Sequence, residues 1–186
     1  MEKNSMKSLI LTLSIIGIVS ALTLTFVYEW TTPYIQANQA EAQKKAINEV
    51  LPGVETVEEV EKNGNTFYEG FDANGSRVGV AFINSGGGYN GVIEIMIGVN
   101  LEQNQIYTFS VLNHAETPGL GARITEAEFK ANFEDKTFAD YTVVKTPPRE
   151  ETEVQAIAGA TISSVSVTRI VENGLDKVTA AYGGGN

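Results

Sequence analysis

The stretch VIEIMIGVNLEQNQIYTFSVLN, residues 92–113, decides the fold. Val92–Asn100 is rich in Val and Ile and almost continuously apolar, the composition of a strand buried within a sheet. Gln105–Asn113 has the β-branched and aromatic content of a partner strand, and the polar Glu102–Asn104 between them is a turn. So short a link makes the pair antiparallel. Upstream, residues 54–84 read as further strands: Thr66–Phe71 and Arg77–Asn84 flank Asn74-Gly75, a strong hairpin dipeptide. Ser85–Gly91, SGGGYNG, is expected to be a flexible loop. Downstream come the loop ETPGLGAR (Glu116–Arg123), a short helix over Thr125–Phe133 opened by a Thr125/Glu128 capping box, and an edge strand at Val143–Lys145 stopped by Pro147 and Pro148. A final helix runs from near Thr161 to about Tyr182. Helices at both ends of a mainly antiparallel sheet make the class α+β.

The N-terminal part has a different character. No charged residue lies between Lys7 and Glu29, and SLILTLSIIGIVSALTLTFVY is long enough to cross a bilayer, which takes roughly 20 apolar residues. Its Ser and Thr hydroxyls can bond back to the helix's own carbonyls. Tyr28 and Trp30 follow at the interfacial position, and Lys3 and Lys7 precede the run, so the N-terminus is expected in the cytoplasm and the domain outside. A cleaved signal sequence would have a shorter apolar run followed by small residues. This one ends in Phe26, Val27 and Tyr28, which favours a retained anchor in membrane lipid. Pro33, after Thr31 and Thr32 as possible caps, reads as the start of a separate amphipathic helix over Tyr34–Leu51, ended by Pro52-Gly53. The expected organisation is 1–28 cytoplasmic end and membrane helix, 29–53 connecting helix, 54–182 extracytoplasmic domain, and 183–186 a disordered tail.

Composition removes several function classes. The chain of 186 residues has net charge −10. Residues 1–28 hold Glu2, Lys3 and Lys7, one net positive charge, so the rest carries −11. Such a domain repels phosphate backbones and is not a nucleic-acid binder. With no cysteine and one histidine, His114, the chain holds no iron–sulfur cluster, thiolate zinc site or disulfide, and a haem is disfavoured. A redox role would need an organic cofactor. His114, just before the loop, reads as structural, and the acidic run Glu55, Glu58, Glu59, Glu61 as a solvated face.

Two motifs carry chemistry. AGATISS, Ala158–Ser164, opens the last helix. Gly159 and Ala160 leave the backbone uncovered, and unpaired N–H groups with the helix dipole form an anion site. A phosphate there would touch Thr161, Ser163 and Ser164, next to Ile162. The same residues also suit a plain well-capped helix. In ETPGLGAR, Pro118 stiffens the loop, Gly119 and Gly121 allow close approach to a flat ligand, and Leu120 can pack on an aromatic ring. Read alone, the loop is equally a simple strand-to-helix turn.

Together the two motifs resemble the FMN-binding domain shared by RnfG, of the Rnf complex, and NqrC, of the sodium-pumping NADH:quinone oxidoreductase. The resemblance covers the whole chain, anchor included. It implies FMN joined covalently, as a phosphoester, to Thr161 within Gly159–Ser164. It also implies flavin packing by Glu116, Thr117, Gly119, Leu120 and Gly121, and matches the family's Gly-Tyr-x-Gly at Gly88–Gly91, where Tyr89 can stack. Two positions depart from the pattern: Gln155 stands where the family often has Asp, and Ala158 where Ser is frequent. The short chain favours the RnfG type, an electron-transfer subunit of an ion-translocating ferredoxin:NAD⁺ oxidoreductase. Its implied partners are the other subunits of that Rnf complex and a flavin transferase that installs FMN from FAD. No catalytic residue and no metal site are assigned. The NqrC type, a stand-alone flavin carrier and a non-redox anchor remain as other readings.

Overall fold

The computed structural model describes residues 2–183 and the side chains of 6–183. The expected tail, 183–186, falls outside the described residues except for Gly183. The chain forms two compact units, Met1–Ala42 and Gln43–Asn186.

The first unit is helical. The helix α1 spans Glu2–Val50 and has Pro33 inside it. The expected break at Pro33 is therefore absent. Thr31 and Thr32 do not cap a new helix: their hydroxyls donate back to Val27 O at 2.8 Å and Tyr28 O at 2.6 Å. A proline in a helix interior costs about 3 kcal/mol. Here it is flanked by long helix-forming runs, among them QANQAEAQKKA after it, which hold the helix through the proline. Thr23 and Thr25 likewise donate to Val19 O and Ala21 O. Large apolar side chains from Met6 to Ile35 are exposed, and α1 is long and apolar enough to cross a membrane.

The second unit is a five-stranded antiparallel meander, β1 (Thr56–Lys62), β2 (Asn65–Phe71), β3 (Arg77–Gly87), β4 (Val92–Asn100) and β5 (Gln105–Asn113), in that spatial order. The acidic run lies on the exposed edge strand β1. β3 extends through Gly87, so part of the expected loop is strand, and Gly87 pairs with Val92. Successive side chains point to opposite faces, and both faces are covered. Phe82, Ile95, Ile97 and Val99 join the core formed with the last helix. Ala81 and Met96 pack instead against Ala46, Ile47, Val50 and Leu51, at the end of α1 and just beyond it. This double burial is why β4 reads as an unbroken apolar run rather than an alternating one. Glu49 adds polar links, accepting from Ser110 Oγ at 2.7 Å and Lys130 Nζ at 2.7 Å.

After β5 the chain makes a 3₁₀ turn, Gly121–Thr125, and a single turn of helix α2, Ala127–Lys130. The capping box does not form: Thr125 Oγ1 donates to Ala122 O, and Glu126 occupies the cap position without a side-chain bond. The expected edge strand is β6 (Thr142–Val144), and it pairs in parallel with a strand not foreseen, β7 (Glu153–Gln155). The helix α3, Thr161–Tyr182, has the expected bounds and buries Val167, Ile170, Val171, Leu175 and Val178 against the sheet. Phe133, fully buried among Phe109, Phe129 and Tyr141, ties the 127–141 segment to this core. Phe133→Ala is expected to lower stability by about 4 kcal/mol, measured by chemical denaturation of the detergent-solubilised full-length chain under circular dichroism. A loss below about 1 kcal/mol would contradict this packing.

Candidate functional site

Three segments, far apart in sequence, meet at the start of α3. The first is the turn joining β3 to β4, where Gly88 N donates to Gly91 O at 2.6 Å. The second is the loop after β5. Leu120 N donates to Thr117 O at 3.2 Å, a turn with Pro118 and Gly119 at its centre, and Gly119 has φ +73°. The third is the turn leading into α3, closed by Ala160 N to Ile157 O at 2.9 Å, in which Gly159 takes φ +79°. Leu120 lies against Gly159, 3.2 Å from where a Cβ would stand.

One carboxylate holds the three together. Glu116 is 4% exposed. Its Oε1 accepts the Tyr89 and Asn90 backbone N–H groups at 2.7 and 3.0 Å, and its Oε2 accepts from Ser163 Oγ at 2.6 Å. Asn90 Nδ2 adds a bond to Ala115 O at 2.7 Å, and Glu116 N donates to His114 Nδ1 at 3.2 Å, the structural role expected of His114. Burial by itself raises the Glu116 pKa. The Ser163 hydroxyl, the Asn90 and Tyr89 N–H groups and the nearby His114 outweigh it and hold the carboxyl below its usual range.

The three segments enclose a cleft of about 350 Å³ lined by residues including Tyr89, Thr117, Leu120, Thr161 and Ile162. Its apolar walls are open to solvent: Tyr89 is 67% exposed, Leu120 45% and Ile162 57%. Thr161 is half-buried at the first helical position, and its hydroxyl makes no side-chain hydrogen bond among the described residues. Helix α3 has no side-chain cap, and its first internal bond is Ser164 N to Ala160 O. The backbone N–H groups of Thr161, Ile162 and Ser163, in the first turn of α3, therefore have no partner within the helix.

The anticipated residues thus converge, with two corrections of role. Ser164 is fully buried, and its hydroxyl donates to Ala160 O and accepts from Ile157 N, both at 3.0 Å, so it faces the core and not a ligand. Ser163 lines the cleft, but its hydroxyl is committed to Glu116. Sequence reasoning also missed Asn90, which sits in the Gly-Tyr-x-Gly stretch, and Arg123, which closes the ETPGLGAR loop. Lys145 was read only as the end of an edge strand, because nothing in the sequence signals the β6–β7 pairing that sets it beside this turn.

These residues fit FMN. An exposed apolar bed, a free hydroxyl at a helix start and unpaired N–H groups suit a flat ring, an ester linkage and a phosphate.

Comparison with known proteins agrees. The FMN-binding domain family matches residues 88–176, and the RnfG N-terminal region matches residues 1–50. The subunit designated G of the ion-translocating oxidoreductase complex of Methanosarcina acetivorans is 35% identical over 98% of this chain and 99% of its own length. Its counterpart in the proton-translocating ferredoxin:NAD(+) oxidoreductase complex of Clostridium ljungdahlii is 28% identical over 98% of this chain and 97% of its own. Among solved structures, the subunit designated C of the Na(+)-translocating NADH-quinone reductase of Parabacteroides distasonis superposes with TM-score 0.59 at 23% identity, covering 79% of this chain and 85% of that one. Shewanella oneidensis NqrC gives 0.52 at 21% identity, covering 63% of this chain and 62% of that one. The last two establish a shared fold.

The depressed Glu116 pKa fixes a sign. Its stabilisation is present above the unfolded carboxylate pKa of about 4.3 and is lost as pH falls through the lower folded value. Glu116→Gln is expected to cost about 2 kcal/mol at pH 7, and the gap should close below about pH 4. Denaturation of both full-length proteins across that range checks it. A gap that does not change with pH would mean that the charge is not what joins the loops.

Proposed function

This chain belongs to the RnfG family of ion-translocating oxidoreductase subunits, and on that basis we propose that it carries FMN as a phosphoester on Thr161 and relays electrons between partner subunits. The observation that supports this reading is the position of the Thr161 hydroxyl: unbonded, at the mouth of α3, on the rim of an exposed apolar cleft. When bound, FMN supplies one- and two-electron chemistry that no side chain of a cysteine-free protein offers.

The chain's own residues divide the work. Thr161 Oγ1 serves as the ester oxygen. It is an acceptor of modification rather than a nucleophile with its own base, because no general base is bonded to it; a flavin transferase would form the ester from FAD, breaking its pyrophosphate bond and releasing AMP. Leu120, Ile162 and Tyr89 give the ring an apolar bed, while Thr117, Gly119, Gly121 and Glu116 shape the loop beneath it. Because the phosphate is the point of attachment, the ring itself is unmodified, and its potential is set by packing and nearby charge.

The wider reading follows from the relatives. The Clostridium ljungdahlii protein is named for a ferredoxin:NAD(+) oxidoreductase, and we assign this chain to a complex of that reaction class, with ferredoxin and NAD⁺ bound by other subunits. Lys3 and Lys7 before the apolar run favour a cytoplasmic N-terminus, with the domain of residues 54–182 on the opposite side of the membrane. The remaining subunits and the anchoring lipid are its partners.

Co-production with a flavin transferase tests the reading. Intact mass of the wild type should show one FMN adduct, and Thr161→Val should show none while keeping its circular dichroism. An adduct that persists in the variant would refute the assignment. Leu120→Asp is expected to keep the adduct but lower the flavin midpoint potential by roughly 30 mV, because a negative charge beside the ring disfavours its reduction. An unchanged potential and absorption spectrum would place Leu120 away from the ring.

A further inference from the structure

A second cavity, of about 570 Å³, shares only Gly159 and Thr161 with the apolar cleft. Its chemistry differs: Arg123, Glu126, Glu128, Asn132, Lys145 and Gln155 are among its walls. Parallel pairing of β6 with β7 sets Val144 opposite Gln155, and Val144 O accepts the Ala156 N–H at 2.8 Å. Lys145, the next residue, is thereby brought alongside the segment that leads into Thr161.

The two cations in this cavity are not equivalent. Arg123 is already shared between two carboxylates, Glu126 Oε2 at 3.0 Å and Glu128 Oε2 at 3.3 Å. Lys145 has no ion pair among the described residues. Gln155 is neutral, and the two carboxylates that line the cavity, Glu126 and Glu128, are the ones paired with Arg123. A phosphate monoester or diester at Thr161 would bring negative charge to the junction of the two cavities, and Lys145 is the lining cation whose charge is not already met.

We propose that Lys145 is the cation that recognises the phosphate of FMN, making it a positioning residue that favours the phosphorylated flavin over a phosphate-free one. The inference rests on the FMN reading above and goes beyond it by naming the charge that meets the cofactor's phosphate. An ammonium on a flexible stem suits a phosphate that must be reached from across a turn. Because Lys145 is exposed, the effect is modest and screened by salt.

The full-length chain, produced without a flavin transferase and kept in detergent at low salt, is titrated with FMN and separately with riboflavin, following flavin fluorescence polarisation. The wild type is expected to bind FMN roughly fivefold more tightly than riboflavin, in line with a partly exposed ion pair. Lys145→Gln should erase that preference and leave riboflavin affinity unchanged, while Lys145→Arg retains it. A preference for FMN that survives in Lys145→Gln overturns the proposal and reassigns recognition to Arg123 or the backbone. Equal loss of both flavins in Lys145→Gln also overturns it, since the residue would then act on the fold. The parent reading fails separately: a wild type that binds neither flavin, and shows no adduct when made with the transferase, removes the FMN assignment and this proposal with it, whereas one that takes the adduct but binds neither free flavin overturns the Lys145 proposal alone.

Discussion

A buried acid governs the site. Glu116 lies below the cleft with its charge met by two backbone N–H groups from one turn and a hydroxyl from the first turn of α3. An ionised carboxylate removed from water is tolerated only when hydrogen bonds replace its hydration, so the acid and the three segments around it depend on one another. The glycines nearby follow from this. A Cβ at Gly88 would overlap Glu116 Oε1, and one at Gly121 would overlap Glu116 Oε2. These two glycines are required by the space the carboxylate occupies, whereas Gly119 and Gly159 are required by left-handed backbone.

The platform under the site is rigid because the meander is covered twice. The last turns of α1 fill one face through Ala46, Ile47 and Val50. On the other, α3 lays Val167, Ile170, Val171 and Val178 over Phe82 and Ile97. The N-terminus of α3 is thus fixed by packing along its length and by Ser164, which bonds both sides of the Ile157–Ala160 turn. A modification acceptor on such an end has a defined position without needing contacts of its own.

Much of this was legible in the sequence, and the exceptions have physical causes. β4, β5 and α3 were placed closely because their patterns are strong: Ile and Val runs for a doubly covered strand, and small residues before a long amphipathic stretch. Pro33 misled because a proline usually opens a helix, whereas here the flanking runs carry the helix past it. Thr125 and Glu128 have capping-box spacing, but the 3₁₀ turn at Gly121–Thr125 uses the Thr125 hydroxyl locally. The site's constituents were identifiable from two short motifs. Their division of labour was not. Whether Glu116 and Ser163 face a ligand or each other depends on a contact across 47 positions, and the place of Lys145 depends on a two-strand pairing too short to leave a periodic trace.

Tether and cushion belong to different parts of this chain. The hydroxyl that would hold the cargo sits on a helix fixed by the core, while Tyr89 and Leu120, two of the surfaces that would press on the ring, hang from loops joined through Glu116 and the Asn90 side chain. Drift in those loops would retune the carrier's voltage without loosening its dye. Were the flavin held through Thr161 as proposed, selection could adjust where the protein stands on an electrochemical scale while its loading stayed constant, a separation that a dissociable cofactor, held and tuned by the same contacts, does not permit.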